Sequence, residues 1–253
     1  MLLLNNNQIV IMTIKKENIL GVDIGGSKIN LVVWNGQKIV EQKQITGAPN
    51  KENLKAIVGE YGLLKIGIGV PGIFNAINGQ IIKCPNAPQL DGLNLKKLWP
   101  DKIVRIDNDV HCFLRAEAML GAGRGYSNIL AVTLGTGIGG ALMINDKILP
   151  APSGEVGHII INKGQSWEKL YQATKNKPKE QEKINAIGLA NLINIFNPEI
   201  IILGGAGARS LSLQGTEFLA KNLLWPKTQM PKIALAKLGQ NASAIGAALL
   251  LNA

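Results

Sequence analysis

The feature that most constrains this chain is a plan that it uses twice. An apolar run, a glycine-rich turn, a second apolar run, a tight turn and a return run follow one another at two places. In the first, Ile19-Leu20-Gly21-Val22 leads into Asp23-Ile24-Gly25-Gly26-Ser27-Lys28; Ile29 to Trp34, Asn35-Gly36 and Lys38 to Lys43 follow. In the second, Ile129-Leu130-Ala131-Val132 leads into Leu134-Gly135-Thr136-Gly137-Ile138-Gly139-Gly140; Ala141 to Ile144, Asn145-Asp146 and Lys147 onward follow. Asn-Gly between apolar runs is a strong hairpin signal. The repeat predicts an α/β fold of two related lobes, each starting with a hairpin sheet covered by helices, with a ligand buried in a cleft between them. Glycine permits a tight bend and lets backbone N–H groups approach an anion. Two such turns facing each other point to phosphoryl transfer.

Further elements follow from patterning. Asn18 to Ile24 and Lys65 to Val70 read as strands, the latter ending at Pro71-Gly72, and Lys51 to Tyr61 as a short helix. Asn75 to Asn94 reads as a loop, Ile103 to Ile106 as a strand, and Asp109 to Gly121 as a helix capped by Asn108 or Asp107. Helices are expected over Ile184 to Phe196, Leu211 to Leu224 and Ala242 to Leu251, with an apolar strand from Ile200 to Leu203. The expected domains are a tail over 1–17, one lobe of 18–107 plus 241–253, and a second lobe of 108–240. Met12 offers a second start.

With 253 residues, 46% hydrophobic and 17% charged, the chain reads as a globular protein with ample core. It has no apolar run of membrane-spanning length and no basic region of a signal peptide, so a cytoplasmic protein is expected. Cys84 and Cys112 are expected as reduced, buried thiols, and no Cys-x-x-Cys pair suggests zinc. The net charge of +10 invites a polyanion. The lysines are scattered, however, and the densest stretch, Lys169 to Lys183, reads as a solvated loop or helix start, so neither nucleic acid nor membrane is expected as a partner.

The first turn is not a P-loop, because Ser27-Lys28 stands where Lys-Ser/Thr is required. Asp23 beside it makes sense if Mg²⁺ lies between carboxylate and phosphate, directly or through water; an exposed turn Asp is the plainer account. The second turn imitates a dinucleotide fingerprint, but a strand and not a helix follows it. Asp109 sits at a strand-to-helix junction, where a carboxylate can serve as general base or simply as a cap. Glu155 and His158 lie three residues apart and can both bond vicinal hydroxyls; an ordinary satisfied histidine is the alternative, as it is for His111.

Eight motifs then occur in order: Asp23 to Lys28, Gly69-Val-Pro-Gly72, Pro85-Asn86, Asp107-Asn108-Asp109, Gly121-Ala-Gly-Arg-Gly125, Leu134 to Gly140, Gly154-Glu-Val-Gly-His158 and Ile202-Leu-Gly-Gly205. The series resembles the ROK family of sugar kinases, regulators and open reading frames, from about Asn18 to the C-terminus. The resemblance implies the two-lobed actin and hexokinase (ribonuclease H-like) fold. It implies Asp109 as the base that deprotonates the sugar hydroxyl, and Asn86, Asn108, Glu155 and His158 as sugar contacts. Gly25, Gly26, Ser27 and Lys28 match the first phosphate loop with Asp23 near the metal, Gly135, Thr136 and Gly137 the second, and Gly204 and Gly205 the turn beside adenosine.

Most members follow the Gly-His pair with a cysteine cluster that binds zinc with the histidine. Here Ile159 to Glu168 contains no cysteine, so no structural zinc is expected. This trimmed, zinc-free arrangement is similar to the polyphosphate glucokinase branch, and Glu168 either replaces a second sugar-binding glutamate or is an exposed helical residue. The resulting expectation is a hexose kinase using Mg²⁺ and ATP on the 6-hydroxyl of glucose. Polyphosphate as donor, and N-acylmannosamine or fructose as acceptor, are the alternatives within enzymes. A sugar-sensing regulator is the alternative outside them, although roughly 17 residues before the first strand are too few for the DNA-binding domain of family repressors. Family members are often dimers, so a homodimer is compatible.

Overall fold

The structure, a computed structural model, describes residues 18–251. The expected tail over 1–17 and the alternative start at Met12 lie outside the described residues. Contacts divide the chain into two compact units: residues up to Ala116 with those from Gln240 onward, and Glu117–Gly239. One dividing point falls inside a helix, whereas the boundary drawn from the sequence lay at that helix's start.

The first unit contains β1 (Ile19–Ile24), β2 (Lys28–Trp34), β3 (Ile39–Thr46), α1 (Lys51–Tyr61), β4 (Lys65–Val70), β5 (Ile73–Asn75), β6 (Gln80–Lys83), α2 (Leu95–Leu98) and β7 (Ile103–Asn108). It also contains the start of α3 (Asp109–Leu120). The second holds β8 (Ile129–Leu134), β9 (Ile138–Ile144), β10 (Lys147–Ile148), β11 (Ile160–Asn162), β12 (Gln165–Ser166), α4 (Trp167–Ala173), α5 (Pro178–Phe196), β13 (Ile200–Gly204), α6 (Ala206–Arg209), α7 (Leu213–Lys221) and β14 (Lys232–Leu235). The closing helix, α8 (Ala242–Leu249), returns to the first unit.

The two main sheets run β3-β2-β1-β4-β7 and β10-β9-β8-β13-β14. In each, three strands pair antiparallel and the last two join parallel to the first hairpin strand. The repeat seen in the sequence is thus a repeat of topology. β1 and β8 are apolar almost throughout because they are central and covered on both faces. The tight turns supply the rest: Asn35 Oδ1 accepts from the amides of Gln37 and Lys38 (3.0 and 2.9 Å), and Asn145 and Asp146 both take positive φ.

Glycines decide how the first sheet is covered. Gly21 and Gly67 are register partners on β1 and β4. A Cβ on Gly21 would overlap the carbonyl oxygen of Ala244, and one on Gly67 that of Ala247. Helix α8 therefore lies with its backbone directly on the sheet, and Ala242, Ala244, Ala247 and Ala248 are buried there. Gly246, on the same helix, abuts the carbonyl of Cys112 in α3. The stack of sheet, α8 and α3 fixes where α3 begins.

Some expected elements differ. The segment read as a loop from Asn75 contains the second strand of a small hairpin, β5 with β6, whose turn is held by Asn75 Oδ1 accepting from Ile77 and Asn78 amides. Helix α5 begins at Pro178 and not at Ile184, because proline's missing N–H costs nothing in a first turn. The lysine-rich stretch is consequently most of α4, a short connection and the start of α5. Helix α7 is shorter than expected: Ser212 caps it by accepting from the amide of Gly215. In the second core Trp167 is fully buried against Gly188 of α5, where any side chain would strike the indole. Its Nε1 donates to Asn185 Oδ1 at 3.1 Å.

Candidate active site

In the first unit, three parallel strands bring two carboxylates together. Asp23, near the end of β1, pairs in register with Gly69 of β4, and Gly69 pairs with Asp107 of β7. Asp109 is the first residue of α3, and its Cα lies 3.4 Å from where a Gly69 Cβ would stand. A glycine at position 69 thus leaves room for the helix start. Asn108 caps that helix, its Oδ1 accepting from Val110 and His111 amides at 2.9 and 3.3 Å.

Burial raises the pKa of Asp109 to about 7, with the charge of Asp23 adding to the rise; the Val110 amide and His111 oppose it. Burial raises Asp23 to about 6, while a hydrogen bond from Asn30 Nδ2 (2.9 Å) and the charge of Lys28 pull the other way. Asn30 is itself buried and accepts from Gln44 Nε2 at 2.7 Å. Two carboxylates held this way favour a proton or a cation nearby. Asp107 behaves differently. Burial pushes it up, but His111, the Asn108 amide (2.8 Å) and Arg115 (2.9 Å) outweigh burial and hold it below the usual carboxylate range. It anchors the strand-to-helix junction.

The first glycine turn closes through the Gly25 N–H, which donates to the Lys28 carbonyl at 2.9 Å. The amides of Gly26 and Ser27 donate to no described group. Gly26 rests on the backbone of Asn86, whose carbonyl oxygen would be 2.5 Å from an added Cβ. Asn86 is thereby brought against this turn.

The second unit repeats the device. The Gly135 N–H donates to the Gly137 carbonyl at 2.9 Å, and the amides of Thr136 and Gly137 donate to no described group. Gly205, at φ +82°, packs its backbone on the carbonyl of Leu134, so Gly204 and Gly205 border this turn. Gly140 and Gly154 abut backbone to backbone, and Gly157 lies on Ile138, which seats the Glu155–His158 motif along β9. Glu155 and His158 are largely exposed, with Oε2 and Nε2 3.8 Å apart. Glu168 is not an exposed helical residue: it is half-buried, and its Oε2 accepts from the Ile138 amide at 2.7 Å.

Sequence reasoning missed Glu117. Wholly buried in α3, it accepts from the amides of Ala122 (2.8 Å), Lys237 (3.1 Å) and Leu238 (2.8 Å). Gly121 is required beside it, since a Cβ there would strike its carboxylate. The Gly121 to Gly125 motif was the available signal. Gln172, which donates to the Thr136 carbonyl, left no signal at all.

Among the described residues, no three of His, Cys, Asp and Glu gather as a metal site. Cys84 and Cys112 are buried free thiols, which burial holds above the usual thiol range. Mg²⁺ needs less than such a cluster, being bound by one or two carboxylates and substrate phosphates. Asp23 fits that role: Asn30 engages only Oδ2, and the raised carboxylate pair welcomes positive charge. Among the described residues, no helix is long and apolar enough to cross a membrane.

Comparison with known proteins bears on the fold and the family. The N-acetyl-D-glucosamine kinase of Haemophilus influenzae is 28% identical over 304 aligned positions, covering 91% of this chain and 98% of that protein. The alignment is longer than the chain, so the chain is trimmed relative to that protein. The ROK hexokinase of Thermus thermophilus superposes with a TM-score of 0.77 at 25% identity, over 92% of this chain and 97% of that one. The inorganic polyphosphate/ATP-glucomannokinase of Arthrobacter sp. gives 0.71 at 23%, over 93% and 98%. These likenesses show the α/β actin- and hexokinase-like fold. The model of the ROK family matches residues 19–169 and 168–253, and the chain belongs to the ROK family.

Proposed function

We propose that this chain is a sugar kinase that transfers a phosphoryl group from ATP to the 6-hydroxyl of a hexose or N-acylhexosamine. The observation that carries the reading is Asp109, a carboxylate on a capped helix start, next to Asp23 and in the same unit as a turn with two uncommitted amides. Asp109 accepts the proton of the attacking hydroxyl; its pKa near 7 suits a base working near neutrality. The amides of Gly26, Ser27, Thr136 and Gly137, with Lys28, hold donor phosphates, and Gly204 and Gly205 border adenosine. Mg²⁺ held by Asp23, directly or through water, neutralises phosphate charge when bound. Positioning and charge neutralisation then supply most of the catalysis.

Asn86, Asn108, Glu155, His158 and Glu168 are the proposed sugar contacts. Asn108 has committed its Oδ1 to the helix cap, which leaves Nδ2 to donate to a sugar hydroxyl. The acceptor expected from the sequence is glucose, while a relative in hand phosphorylates N-acetylglucosamine by name. Polyphosphate is the second donor, supported by the name of the Arthrobacter neighbour and by the net charge of +10. A coupled phosphorylation assay with glucose, N-acetylglucosamine, N-acetylmannosamine and fructose, each with Mg-ATP and with polyphosphate, tests the reading. Turnover on none of them, together with tight sugar binding, would make the chain a sensor.

A further inference from the structure

Helix α4 grips the second glycine turn from one face. Glu168 and Gln172, four residues apart, are neighbours on that helix. Glu168 Oε2 accepts the Ile138 N–H, and Gln172 Nε2 donates to the Thr136 carbonyl. A peptide group is a rigid plane. Holding the Thr136 carbonyl therefore dictates where the Gly137 N–H points. The next plane is held at both ends: the Gly137 carbonyl accepts from Gly135 N–H, and its Ile138 N–H is taken by Glu168. Gly137 leaves room for this contact: a Cβ there would displace the Glu168 carboxylate.

The helix is itself immobilised. Ser166 caps it by accepting the Lys169 amide, and Trp167 is buried against Gly188 and bonded to Asn185. Tyr171 is buried, and its hydroxyl stands where Gly207, next to the Gly204-Gly205 turn, could carry no side chain. Three side chains of α4, those of Glu168, Tyr171 and Gln172, thus converge on the two turns that border the proposed donor site in this unit.

We propose that Glu168 and Gln172 are positioning residues that hold the 135–138 turn in the shape that receives donor phosphate. The inference rests on the kinase reading, and it gives Glu168 a task separate from any contact with sugar. A residue serving only the sugar would not alter donor binding when no sugar is present.

The experiment is calorimetric titration of the full chain with the magnesium complex of a non-hydrolysable ATP analogue, and with tripolyphosphate, in the absence of sugar. Glu168→Ala should weaken binding about tenfold and Gln172→Ala about fivefold, the scale of one lost charged or neutral hydrogen bond. Glu168→Gln, which retains an acceptor oxygen, should stay within about threefold of the parent. Amide hydrogen exchange at Ile138 should quicken in Glu168→Ala. Unchanged or tighter donor binding in both alanine variants overturns the clamp while leaving the kinase reading intact; tighter binding would mean that Glu168 acts as a repelling charge. A parent chain that takes up neither probe sinks the kinase reading and the clamp with it.

Discussion

Replacing Asp109 by asparagine should make the protein more stable and nearly inactive at the same time. The ordinary carboxyl value is 3.8, and in the fold it is about 7. Between these values the folded chain keeps a proton that the unfolded chain has released, so stability falls as pH rises. The penalty is absent below 3.8 and complete above 7. At about 1.4 kcal/mol per tenfold change in proton affinity, it reaches about 4 kcal/mol at pH 8. Asparagine carries no charge and escapes it; the amides that favour the carboxylate are already counted in the value of about 7. The gain should therefore be about 4 kcal/mol at pH 8 and should vanish near pH 4. Turnover should fall roughly 10²–10⁴-fold, the share of a general base. Denaturation of both chains at pH 4, 6 and 8, with chelator present so that no cation relieves the carboxylate pair, reads the stability. A variant less stable than its parent at pH 8, or a difference that does not move with pH, would refute the reasoning.

Gly67→Ala should cost about 3 kcal/mol or prevent folding, because its methyl group overlaps the Ala247 carbonyl under α8; a urea curve matching the parent's would mean the helix can lift off the sheet freely. Glu117→Gln should cost about 2–4 kcal/mol, since an amide oxygen replaces a carboxylate that accepts three backbone N–H groups; equal midpoints in urea would count against it. Removing zinc with a chelator should leave the melting curve unchanged and activity recoverable with Mg²⁺ alone, as the cysteine-free segment from Ile159 to Glu168 requires; unfolding on chelation would contradict that.

The local parts of this fold are legible because their causes are local. Asn35-Gly36 and Asn145-Asp146 announce hairpins through backbone conformations that few residues accept, and the runs around them show which strands are covered on both faces. Asp109 is visible for the same reason: a strand ending in Asp107-Asn108 and a helix beginning at once leave its placement little choice. The segment from Asn75 is ambiguous because asparagine side chains satisfy a hairpin turn and an open loop with the same hydrogen bonds. What stays hidden depends on distant partners. Gly21 and Gly67 look like flexible strand residues until a helix more than 170 positions later lies on them. Glu117 looks like a surface acid on an amphipathic helix, and two of its three amide partners are 120 and 121 positions away. Glu168 has an N–H to accept only because α4 returns to a turn 30 positions earlier. In each case a close backbone approach, or a backbone amide, selects the residue, and amides carry no sequence signature. A motif can therefore identify which loop handles phosphate, while the side chains that hold the loop in shape emerge only from the folded chain.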